Sequence, residues 1–360
     1  MKTQPYNVFW QRIHQAARKK AFPLRVMFEL TYQCNFRCAH CYVPQDYKKR
    51  PELKTKEIFT VLDELKDIGC FYLGFTGGEP FVRKDILDIL WHAKKKGFEI
   101  IIYTNGSLIN KNLADELKRL NPNKVDITIS GMSPGVFDHI VRTAGARDKV
   151  FKAIDLLYKN RVALGFKTCV LKGNEGEIED IQKFAHSLGG LHRLDDTLSA
   201  RLDGSQDPFQ YRGRTDQGNP EPDKSELECV RDKQDRASNK NSSKTRNLFP
   251  CGVGVSQAAI TPAGELKMCV MIDHPRYKIL THPQTGLKSA WIKLKSLVAS
   301  IQPDEQYRCG SCELKPYCLW CPAKAWLYKK DFTSCVPENF TSAYRRKNHA
   351  EKEKIPTNNH

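Results

Sequence analysis

Arg25-Val-Met-Phe-Glu-Leu-Thr31, then Tyr32-Gln33, then Cys34-Asn-Phe-Arg-Cys38-Ala-His-Cys41, is the stretch on which the reading of this 360-residue chain turns. Its first half is an apolar, β-branched run of the kind that forms a buried strand. Its second half sets three thiols in eight residues, spaced Cys-x3-Cys-x2-Cys. Cysteine thiolates hold iron–sulfur clusters. Three of them bind three irons of a four-iron cube and leave the fourth without a protein ligand. An open coordination position is what separates a catalytic metal site from a structural one. A zinc knuckle is the competing reading; it would need a fourth Cys or His close by, and His40 is the only local candidate.

Outward from this stretch, residues 25 to about 200 alternate strand-like runs with helical periodicity, the pattern of a parallel α/β sheet. Strands are expected at 25–31, 71–75, 98–103, 125–130, 164–170 and 191–197, and helices at 55–68, 84–96, 110–120, 147–159 and 176–188. Gly69, Gly97 and Gly189 follow helices where a left-handed cap is expected. Six strands with right-handed crossovers give an incomplete (β/α)6 TIM-type barrel over residues 25–202. Sites in such folds lie at the carboxyl ends of strands, where the cysteine triplet falls. Residues 1–24 read as a short amphipathic helix, Phe9 through Ala21. Residues 203–250 are polar and rich in breakers, a linker with one helix near 224–236. Residues 251–338 form a small cysteine-rich domain, and 339–360 a basic, disordered tail.

After the second strand comes Thr76-Gly77-Gly78-Glu79-Pro80. Two glycines at a strand end let backbone approach a ligand closely, the carboxylate of Glu79 suits a cationic amine, and Pro80 stiffens the turn. With the triplet some forty residues upstream, this pair of motifs resembles the radical S-adenosylmethionine (SAM) superfamily. In that family the open iron chelates SAM, one electron breaks a C–S bond, and the 5′-deoxyadenosyl radical takes a hydrogen atom from the substrate. The resemblance implies that Cys34, Cys38 and Cys41 hold a [4Fe-4S] cluster and that Gly77, Gly78, Glu79 and Pro80 meet the SAM amine. It further implies that His40 lies near the adenine and that Thr104 and Asn105 form the third strand's turn. Ser130 would meet the ribose, although Ser130-Gly131-Met132 departs from the family's usual Ser-Leu-Asp-Gly. Arg142 would grip the SAM carboxylate, a pairing suited to a guanidinium.

Seven further cysteines lie in the 85 residues from Cys251 to Cys335. Cys251 and Cys269 flank an apparent hairpin turning at Pro262 and Gly264. Then come Cys309-x2-Cys312-x5-Cys318-x2-Cys321 and, later, Cys335. Paired Cys-x-x-Cys units also build zinc ribbons, but a ribbon separates its pairs by ~15–20 residues, where five intervene here. The pattern resembles the SPASM extension of radical SAM enzymes, which binds two auxiliary iron–sulfur clusters. That likeness implies Cys309, Cys312, Cys318 and Cys335 around one cluster, and Cys251, Cys269 and Cys321 around another nearer the barrel. Gln257 stands where some members have a further cysteine, so the nearer cluster is left with three ligands, an open iron or a distant ligand such as Cys229. Cys70 and Cys169 read as buried small hydrophobes.

Thirteen cysteines, an odd number grouped in this way, point to metal ligation in a reducing cytoplasm and not to a disulfide framework. No signal peptide or membrane-length apolar run is visible, so no membrane partner is expected. The formal charge of +17 favours anionic partners. Basic runs such as Arg18 to Lys20 and Arg345 to Lys347 read as solvated faces, and with no nucleic-acid motif beside them nucleic acid is not expected. The resemblance implies an oxidoreductase-type enzyme that modifies a ribosomally made peptide or protein by crosslinking, epimerisation or oxidation. The expected partners are an acidic substrate, a separate leader-binding protein, and a reductant such as flavodoxin or ferredoxin. A small-molecule or porphyrin-type cofactor precursor is the alternative substrate. A non-catalytic iron–sulfur or zinc protein is the third reading, and it leaves Gly77 to Pro80 unexplained.

Overall fold

The computed structural model describes residues 6–213, 248–280, 286–303, 307, 309 and 312–353. Helix α1 (Tyr6–Lys20) precedes β1 (Arg25–Thr31). The chain then runs α2 (Thr55–Asp67), β2 (Tyr72–Gly77), α3 (Ile86–Lys95), β3 (Glu99–Thr104), α4 (Lys111–Leu120), β4 (Lys124–Thr128), α5 (Pro134–Val141), α6 (Ala146–Lys159), β5 (Leu164–Cys169), α7 (Ile178–Ser187) and β6 (Leu191–Asp195). Beyond the undescribed stretch lie β7 (Gln257–Ile260), β8 (Glu265–Lys267), β9 (Tyr277–Lys278), α8 (Leu287–Ser300), α9 (Pro322–Lys329) and α10 (Pro337–Glu353).

Local chemistry sets these boundaries. Asn110 accepts from the Leu113 N–H and starts α4, whose buried Ala114, Leu117 and Leu120 recur at helical spacing against the sheet. Gly69, Gly97 and Gly189 do adopt positive φ after α2, α3 and α7. Helix α5 escapes the sequence pattern because it is only eight residues long; it begins at Pro134, where a missing N–H costs nothing.

The sheet order is β6-β5-β4-β3-β2-β1-β7-β8-β9. From β6 to β7 every pairing is parallel, and β7-β8 and β8-β9 are antiparallel. Strand β1 is therefore central, with Phe28 opposite Phe75 on one side and Ile260 on the other. The hairpin expected between Cys251 and Cys269 exists as β7-β8, but it extends the barrel's sheet and is no separate body. Strands β4 to β6 alternate. Val125, Ile127 and Phe166 pack outward under the helices, while Thr128, Lys167, Cys169 and Asp195 point into the cavity the strands enclose.

Two expectations change at the carboxyl end. The tail is not disordered through residue 353: α10 docks through Phe340 and Ala343, and Arg346 reaches Asp196 at the end of β6 at 2.5 Å. The basic run there is thus partly an anchor. Residues 203–213, assigned to the linker, pack on the exit of β5 through a Leu171–Arg212 bridge. The helix expected near 224–236 lies outside the described residues, as does Cys229. No helix among the described residues is long and apolar enough to cross a membrane.

Candidate active site

The carboxyl ends of the parallel strands surround a cavity of about 300 Å³. Cys34, Cys38, Cys41, His40, Gly77, Gly78, Thr104, Asn105 and Ser130 all line it. The polypeptide leaves β1 and wraps the triplet around one side, where Arg37 N–H and Ala39 N–H donate to the carbonyls of Val141 and Ile140. Arg201 clamps the loop from outside by donating to the Cys41 carbonyl at 2.8 Å, and Leu202 N–H donates to the Tyr42 carbonyl. The thiols stand in apolar surroundings. Burial pushes the Cys38 thiol well up, with Cys41 and Cys34 adding to the effect, and burial raises Cys34 against the Phe36 N–H that donates to its sulfur.

No three His, Cys, Asp or Glu side chains among the described residues converge on a single metal ion. The triplet rings a space instead, which suits a polynuclear cluster of soft sulfur ligands. The hydroxyl-bearing residues Thr76, Thr128 and Ser130 line the same cavity. The His40 Nδ1 there is buried with no hydrogen-bond partner. Burial lowers the His40 imidazole to about 4, with Lys167 adding to that effect, so the ring is neutral. A buried polar atom left without a partner beside a cavity is a place for a ligand's hydrogen bond.

The Gly-Gly-Glu-Pro turn works differently from its sequence reading. A Cβ on Gly77 would stand 2.1 Å from the Thr31 carbonyl oxygen, and one on Gly78 2.1 Å from that of Gln33. The glycines allow the turn to press on the exit of β1, and only their backbone faces the cavity. Glu79 is fully buried and does not line the cavity. Its carboxylate accepts from Phe81 N–H at 3.1 Å, Thr104 Oγ1 at 2.8 Å and Asn105 N–H at 2.7 Å. Thus it ties the β2 turn to the β3 turn and is not free to receive an amine. Pro80 is buried behind it and opens a short 3-10 turn. Arg142 is likewise displaced from its expected role: exposed, at the left-handed end of α5, it donates to Tyr211 Oη at 2.7 Å. The cations that do line the cavity beside the triplet are Arg37 and Lys48.

Burial pushes the Glu79 carboxyl up to about 7 against its three donors. The folded chain therefore holds this proton more tightly than the unfolded chain. Stability from Glu79 is highest below pH ~4.5 and declines as the pH rises to ~7. Glu79→Gln sets an amide N–H2 against a backbone N–H; it is expected to cost about 1–3 kcal/mol at pH 8 and to flatten that slope. Urea unfolding between pH 5 and 8 reads both effects, and an unchanged slope would remove Glu79 as its source.

The second cysteine region falls into two places. Cys269 is pushed up to about 12 by burial and then by the nearby Cys321 and Cys251, so these three stand together. Gln257 donates to the Cys251 carbonyl at 2.6 Å, and Arg18 of α1 reaches the neighbouring Pro250 carbonyl. Cys312, Cys318 and Cys335 pack around Leu314, Phe340 and Ala343 under α10, where burial and Cys312 raise the Cys318 thiol. Cys309 is half-buried.

Residues 28–185 match the model of the radical SAM superfamily. That stretch of the chain is a radical SAM domain. The chain is 27% identical over 312 residues to mycofactocin maturase MftC of Mycobacterium ulcerans (strain Agy99), covering 81% of this chain and 80% of that one. It is 30% identical over 157 residues to Fe-coproporphyrin III synthase of Methanosarcina barkeri (strain Fusaro / DSM 804), covering 43% of this chain and 39% of that relative. Its fold resembles Streptococcus suis SuiB bound to precursor peptide SuiA, with a TM-score of 0.65 at 15% identity over 95% of this chain and 82% of that one.

Several cavity residues escaped the sequence reading: Tyr103, Lys167, Cys169, Asp195, Thr197 and Met271. The signal for the middle four was alternation within β5 and from the last residue of β6 onward, which sets polar residues inward. Cys169 is accordingly a wall residue of the cavity and not core filling.

Proposed function

We propose that this protein is a radical SAM enzyme that abstracts a hydrogen atom from a peptide or protein substrate. The observation that carries this reading is the opening of all three triplet cysteines into one cavity with the ends of β2 to β6. A four-iron cluster and SAM bound there would supply one-electron reductive radical chemistry. Cys34, Cys38 and Cys41 would hold the cluster. The backbone of Gly77 and Gly78, the Asn105 turn, Ser130 and His40 would position SAM, with Glu79 and Pro80 supporting the turn from behind. In the carboxyl-terminal region Cys309, Cys312, Cys318 and Cys335 would hold one auxiliary cluster, and Cys251, Cys269 and Cys321 the other.

A peptide substrate is supported by the extent of the match. The mycofactocin maturase aligns through most of both chains, whereas the coproporphyrin synthase aligns over less than half of this one. An acidic substrate, a separate leader-binding protein, a flavodoxin- or ferredoxin-type reductant and a cytoplasmic setting complete the proposal. Reconstituted and reduced without oxygen, the protein is expected to cleave SAM to methionine and 5′-deoxyadenosine and to hold about twelve irons per chain. Absence of cleavage, or bound zinc in place of iron, would overturn the reading.

A further inference from the structure

The ends of β4 to β6 carry more cationic than anionic side chains inside the sheet. Asp126 already takes Lys124 at 2.7 Å and Arg193 at 3.1 Å. Asp195 is committed to its own turn: Oδ1 accepts from Thr197 N–H at 3.2 Å and Thr197 Oγ1 at 3.1 Å. Lys324, reaching in from α9, donates to the Thr197 carbonyl at 2.8 Å and to Thr197 Oγ1 at 2.5 Å, and stands 3.9 Å from Asp195. Asp195 and Lys324 thus balance one another across Thr197. Lys167 is the cation left over. Its one ion pair among the described residues is with Asp195 Oδ2 at 3.8 Å, longer than a hydrogen bond, and 40% of its side chain is exposed. That exposed side chain lines the cavity together with His40, Cys169 and the triplet.

An ammonium with unused donors inside a cavity is a strong site for an anionic group, because charge-assisted hydrogen bonds gain when water is excluded. Arg37, within the triplet loop, and Lys48, whose charge acts on Cys34, are the cations nearest the triplet, which leaves Lys167 for another group. We propose that Lys167, held beside the Asp195–Thr197–Lys324 unit, is the anchor for a carboxylate of the substrate. The proposal rests on the radical SAM reading and deepens it: on a peptide, the anchored group is an acidic side chain near the residue that loses hydrogen. Lys324 makes the subsite depend on the cysteine-rich region, because α9 follows Cys321 directly.

The test uses the reconstituted, SAM-bound protein under anaerobic conditions and reads binding by calorimetry. Its probes are a capped pentapeptide with one central glutamate, its glutamine counterpart, coproporphyrin III, and the tetramethyl ester of that porphyrin. The carboxylate member of a pair is expected to bind about tenfold or more tightly than its neutral partner. The pair that discriminates identifies the source of the carboxylate. Lys167→Gln should erase the preference, Lys167→Arg should retain most of it, and Lys149→Gln on the exposed face of α6 should leave it intact. Equal binding within both pairs, or a preference that survives Lys167→Gln, overturns the proposal. So does a Lys167→Gln variant whose main defect is weaker SAM binding, which would assign Lys167 to the cofactor. Formation of 5′-deoxyadenosine, followed in parallel, decides the radical SAM reading separately from the carboxylate preference.

Discussion

Cys38→Ala is expected to reduce 5′-deoxyadenosine formation to the level of a no-enzyme control and to remove about four of some twelve irons per chain. The site gives the reason. Cys38 lies between Cys34 and Cys41 in the loop that leaves β1, and burial pushes its thiol well up. Burial favours the protonated thiol, and a bound metal ion would displace that proton and stabilise the thiolate. With alanine in its place two sulfurs remain, too few to hold a cube and leave one iron open to SAM. The auxiliary region should be untouched, because Cys251 precedes β7, Cys269 follows β8, Cys321 caps α9, and Cys312, Cys318 and Cys335 lie under α10. Iron analysis and low-temperature electron paramagnetic resonance should show one signal lost and the rest retained. Cys70→Ala serves as the control: that thiol is buried at the opposite end of the sheet, where it donates weakly to the Leu24 and Tyr72 carbonyls. Retained SAM cleavage in Cys38→Ala, or equal iron loss in Cys70→Ala, would refute the assignment.

The parts legible in the sequence were those fixed by local chemistry. Six strands, five helices and three glycine caps follow from periodicity and breakers over short windows. The triplet and Gly77 to Pro80 follow from spacing. What was not legible depends on pairing across long separations. That β7 lies parallel to β1 could not be read from Gln257 to Ile260, because a four-residue strand has no periodicity to declare its neighbour. The basic run near Arg345 resembled any solvated face until Asp196 came within reach of Arg346. Glu79 shows the subtler failure. Its residue type at a strand end suggested a carboxylate facing a ligand, yet three donors from two turns take it up from behind. Which way a side chain points from a tight turn is set by the backbone it meets, and that backbone belongs to another part of the chain. Lys167 and Asp195 were hidden for a related reason: parallel strands are expected to be apolar throughout, and here the inward face is polar because a site lies within it.

Lys267→Met is expected to destabilise the protein by about 3–5 kcal/mol, the largest effect on folding among the substitutions considered. Lys267 on β8 and Glu29 on β1 form an ion pair at 2.7 Å, and both are fully buried. Glu29 also accepts from Tyr32 Oη at 3.1 Å and Tyr42 Oη at 3.2 Å. Removing the ammonium leaves a carboxylate in the protein interior with only two hydroxyl donors, and an uncompensated buried charge is costly. Placing Glu29→Gln alongside Lys267→Met should recover at least half of the loss, because a neutral amide oxygen still accepts from a tyrosine and no charge is stranded. Anaerobic urea unfolding followed by tryptophan fluorescence measures both; a single variant within about 1 kcal/mol of wild type, or a double variant no better than the single, would contradict the argument. The consequence reaches beyond stability. Glu29 lies five residues before Cys34, Tyr42 follows Cys41, and Lys267 lies two residues before Cys269. One buried network therefore fixes the triplet loop and one strand of the second cysteine region to each other. In Lys267→Met the iron content of the Cys34–Cys41 site and that of the Cys251–Cys269–Cys321 site should fall together, while Cys312, Cys318 and Cys335 under α10 keep theirs.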